Sequence, residues 1–393
     1  MHILKRPTGD EFTFRLFVRL VNSYKLPKDV FYLWSPCIDP QYQCISKWVD
    51  GTPIYEDELT YRTEILSNIK SDTVIIGIKD HLTSHDFNPW LHTKPDMVLY
   101  LEDMFNYYSN KKFILFTTLE NLNHYIKNPR VSVIPWGGDI VNGKTNYQRL
   151  DVIVEKNFDS DYNFLSLNRG LRPHRAFLVS LLHGLKIETH GLISCMFRDK
   201  ITDVFAYLEW PFTDEQQDIY KIVSNGYVSV NKSHTMLKTT RETSGTYPDS
   251  ANTVNFKSVL LEYYRDTFIE IITETSCTEM SFNLTEKTLH SIYGQSFPIF
   301  ISSPGIVKFL REMGMDVFDD IVDHSYDTIE NPIDRIYQAI TSNKSLLTDN
   351  TLIKKLWKDN QHRFIKNIDF AKTRMYNFYS QRTIDKFNEC TNL

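Results

Sequence analysis

The chain has 393 residues, 41% of them hydrophobic and 24% charged, which is the composition of a folded rather than a disordered protein. Its formal net charge of −5 excludes a uniformly basic surface of the kind that coats nucleic acid. The five scattered cysteines form no C-x-x-C pair, and no stretch has the roughly 18 consecutive apolar residues of a membrane-spanning helix, so we expect neither a zinc cage nor a membrane partner.

The first 150 residues alternate apolar runs with amphipathic stretches. Helical periodicity at 57–69 and 96–108 separates short β-branched and aromatic runs, which predict strands buried on both faces. These strands are expected at 29–34, 73–78, 112–116 and 131–134. Alternation of this kind predicts a mainly parallel, doubly wound α/β sheet.

A polar passage at 137–161 interrupts this pattern, and the alternation then restarts. We therefore predict an N-terminal Rossmann-like acceptor domain over 1–150 and a second domain over 151–353, with a ligand cleft between them. The serine-, threonine- and asparagine-rich passage at 225–255 is expected to be irregular. In the second domain, strands are expected at 163–167, 191–196, 268–272 and 298–301, and helices at 173–185, 285–293, 305–313 and 332–340.

A basic turn joins the first strand of the second domain to its first helix. It runs from Asn168 to Arg175 and includes Arg169 and Arg172, with Pro173 suited to the first helical turn. Backbone N–H groups at a helix start and nearby guanidinium groups both bind phosphate oxygens. The turn therefore predicts a diphosphate clamp, and the alternative is a solvated basic turn.

An acidic strand end and a second helix start follow further along the chain. Glu274 ends an apolar strand, and Thr285, Glu286 and Lys287 open the next helix. Because a carboxylate accepts two hydrogen bonds from vicinal hydroxyls, both glutamates are candidates for binding a sugar or ribose diol, with Lys287 facing phosphate. Helix capping by Thr285 and Glu286 explains these residues without a ligand. The turn at 302–305 is a weaker candidate for a second anion-binding helix start.

The second domain also carries a longer pattern. The run NFLSLNRGLRPHRAFLVSLL is followed by ITETSCTEMSFNLTEKTLHSIYGQSFPIFISSPGIVKFLREMGMDVFDDIVDHSYDTIENPIDRI. Over about residues 163–340, this resembles the C-terminal domain of phage-encoded glycosyltransferases and, more distantly, the nucleotide-sugar domain of GT-B fucosyltransferases. The resemblance implies two Rossmann-type domains and a nucleotide-sugar site lined by Arg169, Arg175, Glu274, Glu286 and Lys287, to which we add Asn168 and Thr285 as donor-binding residues.

An inverting transferase also needs a base for the acceptor hydroxyl. Asp80, His81 and His85 follow the predicted strand at 73–78, where a doubly wound sheet places catalytic side chains. The alternative is a solvated polar loop. His81 and His85 are four residues apart, but the pattern offers no third metal ligand, so we predict no metal and no obligatory cofactor.

The segment 354–393 is predicted to be a basic, aromatic helical tail that packs back across the domains. Residues 354–386 hold nine Lys or Arg against three Asp, with six aromatic residues interleaved. Aromatics at helical spacing favour a packed core beneath solvated cations. The alternative is contact with the phosphates of nucleic acid, with Lys354, Lys355 and Lys358 as candidates.

Together these patterns predict a glycosyltransferase, hexosyl or pentosyl, that moves a sugar from a nucleotide-sugar donor to a hydroxyl acceptor. The resemblance to phage enzymes and the basic tail favour a hydroxymethylated pyrimidine in double-stranded DNA, to which an arabinosyl or other glycosyl group would be attached. A glycan or small saccharide is the second acceptor class, and a non-catalytic protein that binds nucleotide sugars or nucleic acid is the third interpretation. The first residues carry no export signal, which predicts a cytoplasmic protein, in the host cell if the gene is a phage's.

Overall fold

The computed structural model describes residues 30–32, 44–49, 52–56, 72–78, 153–168, 172–195, 212–230, 260–274, 277 and 284–391, together with most of 102–135. These residues form two compact units. The first unit contains the described residues up to 135 and those from 381 onward, and the second contains those from 153 to 380. The predicted domain boundary at 150 stays a prediction, and so does the separate tail from 354. The contacts within the chain divide it after residue 138 and again, within the last helix, after residue 380.

The first unit contains a four-stranded parallel sheet in the order β1-β4-β5-β6. An antiparallel hairpin, β2-β3, lies between β1 and β4 in the sequence and was not among the predicted strands. In β5 every residue after Lys112 is buried, as its apolar sequence predicts. The strands are β1 (Val30–Tyr32), β2 (Cys44–Val49), β3 (Thr52–Glu56), β4 (Thr73–Ile78), β5 (Lys112–Thr117) and β6 (Val131–Pro135).

The second unit contains another parallel sheet, in the order β10-β9-β7-β8. All five residues of β9 and all five of β10 are buried, as expected for strands covered on both faces. The α/β class with parallel sheets is therefore confirmed. The strands are β7 (Phe164–Asn168), β8 (Gly191–Cys195), β9 (Ile269–Thr273) and β10 (Phe297–Ile301).

Helices follow the strands of the second unit and extend to the end of the described chain. The passage expected to be irregular from 225 begins inside a helix, α2 (Gln217–Val230). The basic tail forms two helices, α8 (Asn350–Asp359) and α9 (Gln361–Thr391), which meet at Asn360. The helices are α1 (Pro173–Gly184), α2 (Gln217–Val230), α3 (Leu261–Arg265), α4 (Glu286–Tyr293), α5 (Ile306–Met313), α6 (Pro332–Ser342), α7 (Lys344–Thr348), α8 (Asn350–Asp359) and α9 (Gln361–Thr391).

Aromatic side chains of α8 and α9 belong to the core of the second unit. The rings of Trp357 and Phe364 stack with their centroids 5.6 Å apart, and Trp357 Nε1 donates to the carbonyl oxygen of Gln295 at 2.7 Å. The indole also packs edge-on against Phe158 and Phe268. Burying a large ring stabilises a fold by about 2–3 kcal/mol, so these helices are integral to the second unit.

The last turns of α9 pack within the first unit. Arg382 Nη1 donates to the buried carboxylate of Glu120 at 2.7 Å, and Thr383 Oγ1 donates to Pro135 O at 3.3 Å. Glu120 follows β5 and Pro135 ends β6, so these contacts lie at the carboxyl ends of the last two strands in the sheet order. In the part of the chain that the structure describes, no helix is both long and apolar enough to cross a membrane.

The packing of α2 against α1 requires two glycines. A Cβ atom at Gly226 would lie 1.8 Å from Ser180 O and 2.4 Å from Gly184 N. A glycine within a helix is ordinarily improved by alanine, by about 1 kcal/mol, because alanine restricts the unfolded chain. At Gly226, backbone atoms of α1 occupy the space that the methyl group of alanine would need. Replacing this glycine by alanine should therefore destabilise the protein instead of stabilising it.

We therefore expect Gly226→Ala to lower the free energy of unfolding by about 3 kcal/mol, measured by urea denaturation. Asn225→Ala is the matched control, since Asn225 is exposed on the same helix and should change stability by less than about 0.5 kcal/mol. Equal stability of Gly226→Ala and the wild type would contradict the close approach of the two helices.

Candidate functional site

The backbone ladder between β7 and β9 stops before their carboxyl ends, where Thr273 Oγ1 donates to Leu167 O at 3.2 Å. Their ladder pairs Phe164 to Ser166 with Ile269 to Ile271 and stops there, while β7 continues to pair with β8 through Asn168. This is also where the winding of the sheet reverses, because β8 lies on one side of β7 and β9 on the other. Ligands of open α/β sheets bind in the crevice at such a reversal. We call this place the β7–β9 crevice.

The helix α1 begins beside the crevice without a capping side chain. Its N-cap residue, Arg172, is extended and partly exposed, and Pro173 occupies the first helical position. The first turn carries no acidic residue. A helix start with partial positive charge and a neighbouring guanidinium group favours an anion.

Two buried side chains of α1 hold the end of β9. His174 Nε2 lies 3.0 Å from Glu274 O, and Arg175 Nη2 donates to Thr273 O at 3.2 Å and to Glu274 O at 3.4 Å. Because a carbonyl oxygen only accepts, His174 Nε2 carries the hydrogen. Burial, followed by the charge of Arg175, lowers the pKa of His174 well below its usual value, so this imidazole is neutral. Burial and the charge of Arg172 lower the pKa of Arg175 to about 10, which leaves it charged at neutral pH.

The carboxylate of Glu274 joins the end of β9 to the start of α4. Its side chain is fully buried, and it accepts hydrogen bonds from Thr285 Oγ1 at 2.5 Å, Thr285 N at 3.3 Å and Thr288 Oγ1 at 2.8 Å. Its backbone N–H donates to Ile301 O at the end of β10, at 3.0 Å. Both carboxylate oxygens are therefore occupied by α4, so Glu274 positions the helix rather than facing a ligand.

Glu286 and Lys287 provide the accessible charges at the start of α4. Their side chains are 31% and 22% exposed, and Lys287 Nζ donates to Glu286 Oε1 at 3.3 Å and to Thr285 Oγ1 at 3.0 Å. Burial acts to raise the pKa of Glu286, but the charges of Lys287 and His290 outweigh it and bring the pKa to about 2. Glu286 is therefore a permanent anion beside a cation, and both can reach a ligand.

Asn168 ends β7 with its amide oriented by the strand. Its side chain is buried, and Nδ2 donates to Ser166 Oγ at 3.0 Å and to Ser166 O at 3.3 Å. Since the carbonyl of Ser166 needs a donor, the orientation of the amide is fixed. Its Oδ1 atom has no partner among the described residues, so the crevice wall contains an unsatisfied acceptor.

The helix start after β10 is already filled by a side chain of the protein. The carboxylate of Asp327 accepts from Val307 N at 3.1 Å and from Lys308 N at 2.9 Å, and Gly305 adopts a left-handed φ of 86° at the N-cap. The first N–H groups of α5 are thus capped from within the chain. The hypothesis of a second anion site at 302–305 gains no support here.

A second buried glutamate, which the sequence analysis did not single out, lies in the middle of β9. Glu270 is almost fully buried, and the hydroxyl groups of Tyr264 and Ser291 lie close enough to influence its carboxyl group. Burial raises its pKa to about 8, against the opposing effect of those two hydroxyl groups. The sequence does carry a signal, because Glu270 is the one charged residue in the apolar run from Phe268 to Ile272.

The remaining predicted site residues fall in three groups. Arg169 and the three candidates for the base, Asp80, His81 and His85, lie outside the described residues. Lys354 is partly exposed and Lys355 and Lys358 are exposed on α8, with Lys358 Nζ 4.2 Å from the ring centre of Phe158. Asn168, Arg175, Glu274, Thr285, Glu286 and Lys287 come together around the β7–β9 crevice and its flanking helix starts.

Across the ranges that the structure describes, no three His, Cys, Asp or Glu side chains form a group that could hold a metal ion. Comparison of the chain with protein-family profiles gives no match. Comparison with curated proteins gives no significant match either.

The raised pKa of Glu270 makes stability depend on pH. In the folded chain its carboxyl group keeps a proton up to about pH 8, whereas in the unfolded chain it ionises near its ordinary value of 4.5. The contribution of Glu270 to the free energy of unfolding is therefore greatest below pH 4.5. This contribution falls by on the order of 4 kcal/mol as the pH rises from 4.5 toward about 8.

We expect Glu270→Gln to remove this loss, so that the variant gains stability relative to the wild type as the pH rises from about 5 to about 8. Urea denaturation across this range measures the effect, with exposed Glu262→Gln as the control. Parallel pH profiles for wild type and Glu270→Gln would show that Glu270 is ionised in the folded protein.

Proposed function

We propose that the chain is a glycosyltransferase whose second unit binds a nucleotide-sugar donor with its diphosphate in the β7–β9 crevice. One observation carries the proposal: the uncapped start of α1 and the start of α4 flank the point where the ladder between two parallel strands stops, with Arg172 and Lys287 partly exposed there. Backbone N–H groups, a guanidinium and an ammonium group at a sheet reversal are the chemistry that a diphosphate needs.

The proposed reaction is a displacement at the anomeric carbon of the donor. An acceptor hydroxyl loses its proton to a base as its oxygen attacks that carbon, and the bond from the carbon to the diphosphate oxygen breaks with its electron pair remaining on the diphosphate. The positive groups of the crevice stabilise the charge that develops on this leaving group. Asp80, His81 and His85 remain the candidates for the base.

The two glutamates receive different roles in this proposal. Glu274 keeps α4 in position, because its carboxylate is fully buried and hydrogen-bonded to Thr285 and Thr288. Glu286 is partly exposed and ionised, so it is the carboxylate that accepts hydrogen bonds from hydroxyls of the sugar or ribose. Within the GT-B-like arrangement that we propose, the second unit holds the donor and the first holds the acceptor.

Lys287→Met tests the donor site. We expect it to weaken nucleoside diphosphate binding roughly 10- to 100-fold, because a charge-assisted hydrogen bond to phosphate is lost. Lys308→Met is the matched control: Lys308 occupies the first turn of α5, the helix that Asp327 caps, and it pairs with Glu312. Calorimetric titration with UDP and GDP measures both variants.

Equal affinity of Lys287→Met and Lys308→Met for the nucleotide would place the diphosphate elsewhere. Donor binding without sugar transfer to any acceptor would favour a non-catalytic nucleotide-sugar binding protein. Folded Glu286→Gln that transfers sugar at the wild-type rate would remove Glu286 from the site.

For the acceptor we propose a hydroxymethylated pyrimidine in double-stranded DNA, with Lys354, Lys355 and Lys358 as contacts to phosphate. Lys354 and Lys355 support this choice, because they lie adjacent on α8, partly and fully exposed. Lys358 is exposed as well, but its ammonium group already lies over the ring of Phe158.

Replacing both Lys354 and Lys355 by alanine should reduce the slope of log affinity against log salt by roughly 2, since each neutralised phosphate releases a condensed counterion. Fluorescence anisotropy with a DNA duplex over a range of salt concentrations measures the slope. An unchanged slope would move the DNA footprint away from α8, and undetectable binding at low salt would favour the glycan acceptor.

A further inference from the structure

A second buried arginine, Arg335 of α6, lies among the loops that follow β9 and β10. Its side chain is 3% exposed. Its Nε donates to Ser302 O at 2.9 Å, its Nη1 donates to Glu330 O at 2.7 Å and to Ile329 O, and its Nη2 donates to Cys277 O. The guanidinium group thus connects the residue after β10 to the loop after β9 and to the segment that leads into α6.

All of these acceptors are neutral carbonyl oxygens. Among the described residues, no carboxylate forms an ion pair with Arg335. Arg363 provides the contrast within the same unit, because its guanidinium group pairs with Asp316 at 2.6 Å and with Asp320 at 2.8 Å. The charge of Arg363 is compensated locally, whereas Arg335 has no ion-pair partner among the residues that the structure describes.

The uncompensated charge lies near the β7–β9 crevice. Cys277 follows Glu274 by three residues and Ser302 directly follows β10, so both carbonyl partners belong to the carboxyl edge of the sheet. The positive charge of Arg335 is also the smallest of the three charges that lower the pKa of His174, after burial and the charges of Arg175 and Arg172. His174 is the residue that binds Glu274 O from the start of α1.

Joining three loops with a buried arginine carries a desolvation cost. Burying a cation without a counter-ion costs more than burying a neutral hydrogen-bond donor of similar size, such as an amide. Its donors are directed to four carbonyl oxygens and to the Cys277 thiol, so the guanidinium group would act on a ligand through its charge and not through direct contact. A role for this charge in the crevice would explain why an arginine, and not a neutral side chain, stands here.

We propose that Arg335 is a positioning residue that supplies long-range positive charge to the β7–β9 crevice and selects ligands of high negative charge, a nucleoside diphosphate over a monophosphate or nucleoside. The inference rests on the proposed function, since it concerns the same diphosphate. Its specific claim is that affinity depends on the charge of Arg335 separately from the loop contacts that Arg335 makes.

Cys277 offers a way to change the charge and keep the contacts. Its Sγ atom lies 3.9 Å from Arg335 Nη2, and the side chain is buried. Cys277→Asp places a carboxylate of similar size beside the guanidinium group and compensates its charge. Cys277→Asn is the matched control, since it has nearly the same shape without the charge.

Calorimetric titration of the full chain with UDP, UMP, GDP and GMP decides the question. We expect Cys277→Asp to weaken diphosphate binding by roughly 10-fold or more and monophosphate binding by less, because the Coulomb energy scales with the charge of the ligand. Cys277→Asn should change both affinities by less than about 3-fold. Added salt should narrow the difference between diphosphate and monophosphate in the wild type more than in Cys277→Asp.

Equal losses in Cys277→Asp and Cys277→Asn, or equal losses for diphosphate and monophosphate, would overturn the inference and leave Arg335 a purely structural residue. If these variants do not fold, the pair Arg335→Lys and Arg335→Gln gives the same decision: the lysine variant must retain the preference for diphosphate that the glutamine variant loses. Failure of the wild type to bind any of the nucleotides or pyrophosphate would instead overturn the proposed function itself.

Discussion

The arrangement of the candidate site depends on Glu274, the residue that directly follows β9. Its carboxylate binds the start of α4 through Thr285 and Thr288, and its carbonyl oxygen accepts from His174 and Arg175 of α1. One residue therefore joins two helix starts to the same strand end. Because the carboxyl group is fully buried, removing any of its donors would leave a buried acceptor with fewer hydrogen bonds and would destabilise the arrangement.

Buried charges in the second unit are satisfied in two different ways. Arg363 pairs with aspartates near the surface, whereas Lys156 donates to three carbonyl oxygens and Arg335 to four carbonyl oxygens and the Cys277 thiol. Lys156 donates to Tyr264 O and Thr267 O at 2.6 Å and to Gly294 O at 2.8 Å, which ties the segment before β7 to the chain just before β9 and β10. Burial lowers the pKa of Lys156 well below its usual value. Of these two buried side chains, Arg335 is the one near the crevice.

The sequence predicted most strands of the two sheets, because a strand covered on both faces is a short apolar run. β9 and β10 are examples, each within one residue of its expected position. The hairpin β2-β3 was missed, although Asp50-Gly51 between its strands is a common two-residue hairpin turn. α2 was missed, and the expectation of irregular structure from 225 was wrong up to Val230, because the close packing of this helix against α1 is not visible in its local composition.

The site was predictable in its residue types and less so in their roles. Thr285 was recognised as an N-cap, but its second partner, Glu274, is 11 residues earlier and is brought to it only by the parallel sheet. In the same way, Asp327 fills the start of α5 from 20 residues away, which local helix-capping rules cannot anticipate. Arg335 had no local signal at all, because its partners are carbonyl groups and carry no side-chain pattern.

The central claim is that the start of α1 and the start of α4, fixed by Glu274, receive a diphosphate. A crystal structure of the chain with UDP or GDP tests it most directly. We expect phosphate oxygens within hydrogen-bond distance of the backbone N–H of His174 in the first turn of α1 and of Lys287 Nζ, while the carboxylate of Glu274 stays bound to Thr285 and Thr288. A diphosphate bound outside the β7–β9 crevice, or a Glu274 side chain that leaves α4 to contact the nucleotide, would contradict it.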